Sequence, residues 1–246
     1  MLELILLLIT GVATGFLNVM AGGGSMLSVP IMIFLGVPGT IANATNRIAI
    51  LPQNITAVWA FYRKGFANFR LSLSLALATI PGAIAGSMLA ARIPNSQFDT
   101  LLAVIMIFIL IIMAIPQNKV LGTQEAPSRV RLIIGHVLML LIGFWGGFIH
   151  IGVGFLLMPT LNRVMQLDLI TTNAHKVFIV MCYTAVSLMV FASELTLMWK
   201  YGLALAVGTS IGAILATNMQ IEKGVGPIKL TLNIVIIAFI IKLLFF

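Results

Sequence analysis

Apolar runs of membrane-spanning length recur from one end of the chain to the other, and only short polar intervals separate them. Residues 2 to 20 predict one helix, interrupted at Gly22-Gly23-Gly24-Ser25, and residues 26 to 36 resume it. The sum is too long for one crossing and the second piece too short for another. Consecutive glycines lower the cost of unwinding, and irregular backbone at membrane depth survives only where protein or a wet cavity surrounds it. The expectation is a broken helix or re-entrant hairpin with its tip inside. Spans then follow from Pro38 to Tyr62, from Leu71 to Ala91 and from Gln97 to Ile115, with the basic loop Arg63-Lys64-Gly65-Phe66 and the turn Pro94-Asn95-Ser96 between them. Residues 116 to 131 form the one extended polar stretch and divide the chain almost in half.

The second half repeats this plan. Segment 132 to 149 meets an interruption at His150-Ile151-Gly152-Val153-Gly154 and a short piece from Phe155 to about Val164 follows. Further spans run from Asp168 to Phe191, Met198 to Met219 and Pro227 to Phe246. Superposing Pro30 on Pro159 also places Asn46-Arg47 on His175-Lys176, and Gly82-Ala83-Ile84 falls on Gly212-Ala213-Ile214 one residue out of step. The predicted fold is therefore an all-α polytopic membrane protein forming a single membrane domain over 1–246. It holds two internally homologous repeats, about 1–115 and 132–246, each a glycine-broken helix or hairpin plus three transmembrane helices. If each broken segment returns to its own side, the halves are inverted, with nine loop Lys and Arg inside against three outside (Arg92, Lys200 and Lys242). Single crossings would make the halves parallel and the split eight against four, so cation retention in cytoplasmic loops favours inversion.

Composition supports the membrane reading: 61% of the 246 residues are hydrophobic and 8% charged, against about 25% charged in soluble domains. The net charge of +8 comes from fourteen Lys and Arg scattered singly or in twos, which suits loop topology and argues against a nucleic-acid partner. The lone Cys182 excludes an internal disulfide. The N-terminus has neither a basic leader nor a polar stretch after a cleavage point, so the first apolar segment is expected to remain.

Two cations are out of place in this pattern. Arg47 would lie about 13 Å below Pro38 at 1.5 Å per residue, near the midplane of a bilayer about 30 Å thick, and Lys176 stands in the equivalent position. A cation there costs about 2.5–3.5 kcal/mol and must find a partner. All six acids lie at segment ends or in loops. The missing counter-ion is read as a small anionic substrate, held by the planar fork of Arg47 and the point charge of Lys176; the alternative is neutralisation by helix C-terminal carbonyls. Asn43, Thr45, Asn46 and Asn173 flank the cations, as hydrogen-bond donors to an oxyanion or as bonds between helices. The backbone N–H groups of Gly22, Gly23, Gly24, Ser25, Gly152 and Gly154 form a second candidate anion contact. His150 and His175 are candidates to carry a coupled proton, and Gln53 and Asn54, after Pro52, to line the pathway. No cofactor is expected, the fourteen methionines read as core filler rather than a metal box, and no oligomeric state is set.

Gly15-Phe16-Leu17 through Ala21-Gly22-Gly23-Gly24-Ser25 to Pro30, then Ala44-Thr45-Asn46-Arg47, and the echo Gly152-Val153-Gly154 to Pro159 with Ala174-His175-Lys176, together resemble the TauE/SafE family of sulfite and organosulfonate exporters. The likeness covers nearly the whole chain and departs from the glycine-rich form at His150-Ile151. It implies a non-enzymatic carrier of sulfur oxyanions such as sulfite, sulfonates or sulfoacetate in the bacterial inner membrane. Two rivals are an intramembrane hydrolase built on Ser25 with His150 or His175, and a cation or metal permease, which would need buried acids or Cys/Met/His clusters.

Overall fold

In a computed structural model, which describes residues 1–66, 69–114 and 128–223, both predicted interruptions end a helix. Helix α1 (Leu2–Met20) stops where Gly22 enters the left-handed region at φ +85, and α2 (Ser25–Phe34) begins three residues later. Asn18, in the last turn of α1, accepts the backbone N–H of Ser25 on its Oδ1 at 3.3 Å, so the first helix caps the second. In the second half, α6 (Arg129–Phe148) gives way to a turn with His150 at φ +60 and Gly152 at φ +70. Helix α7 (Val153–Pro159) follows and widens into a π-type turn over Thr160–Val164. Trp145 Nε1 donates to Ile151 O at 3.0 Å, giving a turn carbonyl a partner at a depth where no water supplies one.

Five long helices complete the described architecture: α3 (Gly39–Arg63), α4 (Phe69–Ala91), α5 (Asn95–Ala114), α8 (Leu169–Glu194) and α9 (Trp199–Lys223). Pro38 precedes α3, and Asp168 caps α8, its Oδ1 accepting the N–H groups of Ile170 and Thr171 at 3.0 Å each. One boundary differs from the sequence expectation. Residues 129–131, read as polar linker, already belong to α6, because the Ser128 hydroxyl accepts the Arg131 N–H and starts the helix early. The rest of that linker, apart from Ser128, and the final span from Pro227 to Phe246 lie outside the described residues.

Among the described residues, five helices are long and apolar enough to cross a bilayer: α1, most of α4, α6, α8 and most of α9. Helix α3 has 25 residues, ample length, yet is too polar to join them. Asn43, Thr45, Asn46, Arg47, Gln53 and Asn54 are all buried, because α3 packs between α8 and α9 and turns these groups toward protein instead of lipid. At its end the Arg63 guanidinium sits 5.0 Å from the Trp59 ring, an arrangement suited to the membrane interface. Apolar cores flank α3: Met32, Phe98 and Ile105 on one side, Leu75, Met139 and Leu157 on another.

Small residues four apart set two close helix crossings. Gly11 and Gly15 of α1 lie against Leu205 and Thr209 of α9, and Gly82 and Gly86 of α4 against Leu140 and Phe144 of α6, so near that an added Cβ would overlap a backbone carbonyl. Close backbone approach substitutes for the hydrophobic drive that lipid removes. Gly82→Ala is expected to destabilise the protein by about 1–3 kcal/mol through overpacking, measured by thermal unfolding in detergent.

Candidate functional site

Asn43 and Arg47 stand one turn apart on α3, neither exposed to solvent, and both reach the C-terminal end of α6. Arg47 Nη2 donates to Gly147 O at 3.0 Å and Asn43 Nδ2 to Phe148 O at 2.9 Å. On α8, Lys176 Nζ donates to Asn18 O at 3.2 Å and Val19 O at 2.8 Å, at the C-terminal end of α1. Helix C-termini carry partial negative charge and unfilled carbonyls, so each cation rests on the polar end of a helix from the other half of the chain. The spacing is reciprocal: Lys176 follows Arg47 by the same 129 positions by which Gly147 and Phe148 follow Asn18 and Val19. Among the described residues neither cation pairs with a carboxylate. Carbonyl neutralisation, the alternative weighed against an anion site, is thus present, but it leaves donors unused. Arg47 Nε and Nη1 are buried without a partner among the described residues, and its guanidinium carbon lies 5.6 Å from the Phe191 ring centroid. Lys176 has three N–H donors and spends two on carbonyls.

The two breaks touch. Gly154 N donates to Gly22 O at 3.3 Å, and a Cβ built on either glycine would run into the backbone of the other. Beside this contact lies a small, partly open cavity. Asn18 and Gly22 line it from the first break, Gln53 and Asn54 from α3, His150, Val153 and Gly154 from the second break, and Lys176 and Val180 from α8. His150 Nδ1 is bonded to the Tyr183 hydroxyl at 2.8 Å, and both lie within electrostatic reach of Arg47. Arg47 itself does not line the cavity.

The remaining candidates separate into other roles. Asn46 accepts from Ser28 Oγ at 2.8 Å and donates to Ser25 Oγ at 3.1 Å, tying α2 to α3, while Thr45 Oγ1 accepts from Met198 N at 3.1 Å. Gly24 is packed against Thr14 and Asn18, Gly23 against the Phe155 ring and Gly152 against Ile109, all outside the cavity wall. His175 Nδ1 bonds Ser72 Oγ of α4 at 2.6 Å; its Nε2 and both side-chain polar atoms of Asn173 are buried without a partner among the described residues. Ser25 bonds Asn46 and neither histidine, whose Nδ1 atoms are taken by Tyr183 and Ser72.

Two residues of the site went unmarked in the sequence reading. Asn18 lines the cavity, caps α2, donates to Gln53 Oε1 at 3.1 Å and lends its carbonyl to Lys176. Its signal was available: a single amide in an otherwise apolar helix, one turn before the glycines. Tyr183, fully buried in mid-span, was likewise visible as a hydroxyl with no water to satisfy it.

The family model of the sulfite exporter TauE/SafE matches residues 7–243 of the chain. A probable membrane transporter protein of a Sinorhizobium species, ORF9, is 29% identical over 239 residues, spanning 97% of this chain and 91% of the relative. A probable membrane transporter protein of Haemophilus influenzae is 25% identical over 223 residues, 90% of this chain and 86% of its own length. The probable membrane transporter protein YfcA of Escherichia coli K12 is 24% identical over 238 residues, with 94% and 86% covered. No solved structure matches the chain.

Proposed function

The chain belongs to the TauE/SafE family of membrane transporters, and from that premise we propose that it is a secondary transporter, an exporter in the bacterial inner membrane, of small sulfur-containing oxyanions such as sulfite, sulfonates or sulfoacetate. The observation that carries this reading is Lys176. It is a cation in the wall of a cavity with no acid in its lining, bonded among the described residues to the carbonyl end of α1 alone and with one donor still to give. An oxyanion entering the cavity is a stronger partner than a neutral carbonyl, since bonds between two charged groups are about twice as strong as neutral ones. It would draw Lys176 away from Asn18 and Val19 and so loosen α1 from α8. Arg47 is poised to do the same at the end of α6 with the N–H donors of Nε and Nη1, unpartnered among the described residues.

Alternating access then follows from the two clasps. Their reciprocal spacing, and the packing of α1 on α9 and of α6 on α4, support two repeats of about 1–115 and 132–246 related by a two-fold axis. We take them as inverted from the loop cations, a plan in which the binding site lies where the halves meet. The His150–Tyr183 bond, adjoining Arg47 and the cavity, is the route we assign to a coupled proton; His175, bonded to α4, stands apart from it. Asn43 holds the α6 end beside Arg47, and Asn173, buried without a partner among the described residues, remains a donor for the moved state. A serine hydrolase would need a base on Ser25, and a metal permease a carboxylate, thiolate or histidine set. The bonds of Ser25 and the lysine in the cavity speak against both.

The purified protein in liposomes is expected to carry sulfite or a sulfonate and not an alkali cation. Arg47→Ala is expected to reduce that flux by about tenfold or more, the value of one or two hydrogen bonds to a charged group. Wild-type liposomes impermeable to every sulfur oxyanion would overturn the substrate class; full flux through Arg47→Ala would remove Arg47 from the site.

A further inference from the structure

Adjacent amides in the cavity wall, Gln53 and Asn54, are locked in opposite senses by bonds whose direction admits no alternative. The Ser25 backbone N–H can only donate. The Asn18 atom facing it is therefore Oδ1. Asn18 must then present Nδ2 to Gln53, and the Gln53 atom that receives it must be Oε1. That leaves Gln53 Nε2, a pure donor, as the end with no protein partner among the described residues. Asn54 is set the other way. The Ile50 carbonyl can only accept, so the Asn54 atom 2.7 Å from it is Nδ2, and the unpartnered end is Oδ1, a pure acceptor. Lys176 adds one positive charge and a donor, and no lining residue is acidic. His150, its Nδ1 engaged by Tyr183, can take either role at Nε2, so the fixed signs come from the other three.

From this pattern of donor, donor and acceptor beside a single cation, and resting on the oxyanion reading above, we infer that the cavity selects a monoanion that carries a hydrogen-bond donor of its own, such as a sulfonate bearing a hydroxyl group. Lys176 and Gln53 receive the anionic oxygens and Asn54 Oδ1 receives the hydroxyl. A ligand lacking that hydroxyl leaves Asn54 Oδ1 desolvated and unbonded, which is how a buried polar group rejects an isostere that cannot satisfy it. Asn18 touches Gln53 and Ser25 and acts as a positioning residue: it holds the Gln53 amide with its donors toward the ligand.

The test compares 2-hydroxyethanesulfonate with 1-propanesulfonate, equal in charge and heavy-atom count, binding to the purified full-length chain in detergent by titration calorimetry. The hydroxylated anion is expected to bind at least about tenfold more tightly, the value of one such hydrogen bond, and Asn54→Leu to bring the two affinities together. Equal wild-type affinities, or a preference that survives in Asn54→Leu, would overturn the inference while leaving the transporter reading intact. Binding of neither anion would remove both. If Asn54→Leu does not fold, the wild-type ratio alone decides.

Discussion

Lys176→Met is expected to abolish oxyanion flux, by about a hundredfold or more, and to leave the protein folded. The size follows from the place of the ammonium in the cavity wall, with one N–H free and two on helix-end carbonyls. Truncating one partner of a buried, hydrogen-bonded charge pair costs about 2–5 kcal/mol, and at 1.4 kcal/mol per tenfold a hundredfold is about 2.8 kcal/mol, in the lower half of that range. The fold survives for a different reason. A buried ammonium bonded only to neutral carbonyls still bears a desolvation cost, and Met removes that charge while keeping most of the volume of the side chain. The carbonyls of Asn18 and Val19 lose a partner, while the core contacts of α8 remain. Flux of sulfite from liposomes, with thermal unfolding of the same preparation, checks both halves. Retained flux would mean that the cation serves only to cap α1.

Gly22→Ala is expected to lose both stability and transport, whereas Gly36→Ala keeps transport. The two glycines share φ +85, but nothing lies within 4 Å of a Cβ at Gly36, while a Cβ at Gly22 would strike the backbone of Gly154. Both substitutions cost about 1–2 kcal/mol for holding an L-residue in the left-handed region. Gly22→Ala adds about 1–3 kcal/mol of overpacking, and it forces apart the two breaks that Gly154 N and Gly22 O hold together beside the cavity. At about 2–4 °C per kcal/mol for a chain of this size, the melting temperature of Gly22→Ala should fall several degrees below that of Gly36→Ala. Equal melting temperatures and equal flux would show that the contact between the breaks carries no weight.

The site shows where reading along the chain stops. Arg47 and Lys176 declared themselves because charge at membrane depth is rare enough to require a reason. Asn43, Asn46 and Thr45 did not reveal their partners, since an amide or hydroxyl on a buried helix has the same local pattern whether it meets a ligand, a carbonyl or a serine. Asn46 proved to tie two helices, Thr45 to receive Met198 N, and Asn43 to hold the α6 end. Asn18 carries little signal because a single amide adds little to a run of leucines, yet it joins the first break to Gln53 and Lys176.

Sequence by itself determined the membrane class, the breaks at Gly22 and near Gly152, and the presence of two cations, Arg47 and Lys176, deep in apolar runs. These depend on periodicity, glycine content and spacing, which are local properties of the chain. Only the tertiary structure decided that each cation lies on the helix end of the opposite half, that Gly22 meets Gly154, and that Lys176 and not Arg47 lines the cavity. Those facts depend on residues as many as 158 positions apart, brought together by backbone approach and buried hydrogen bonds that no local pattern encodes.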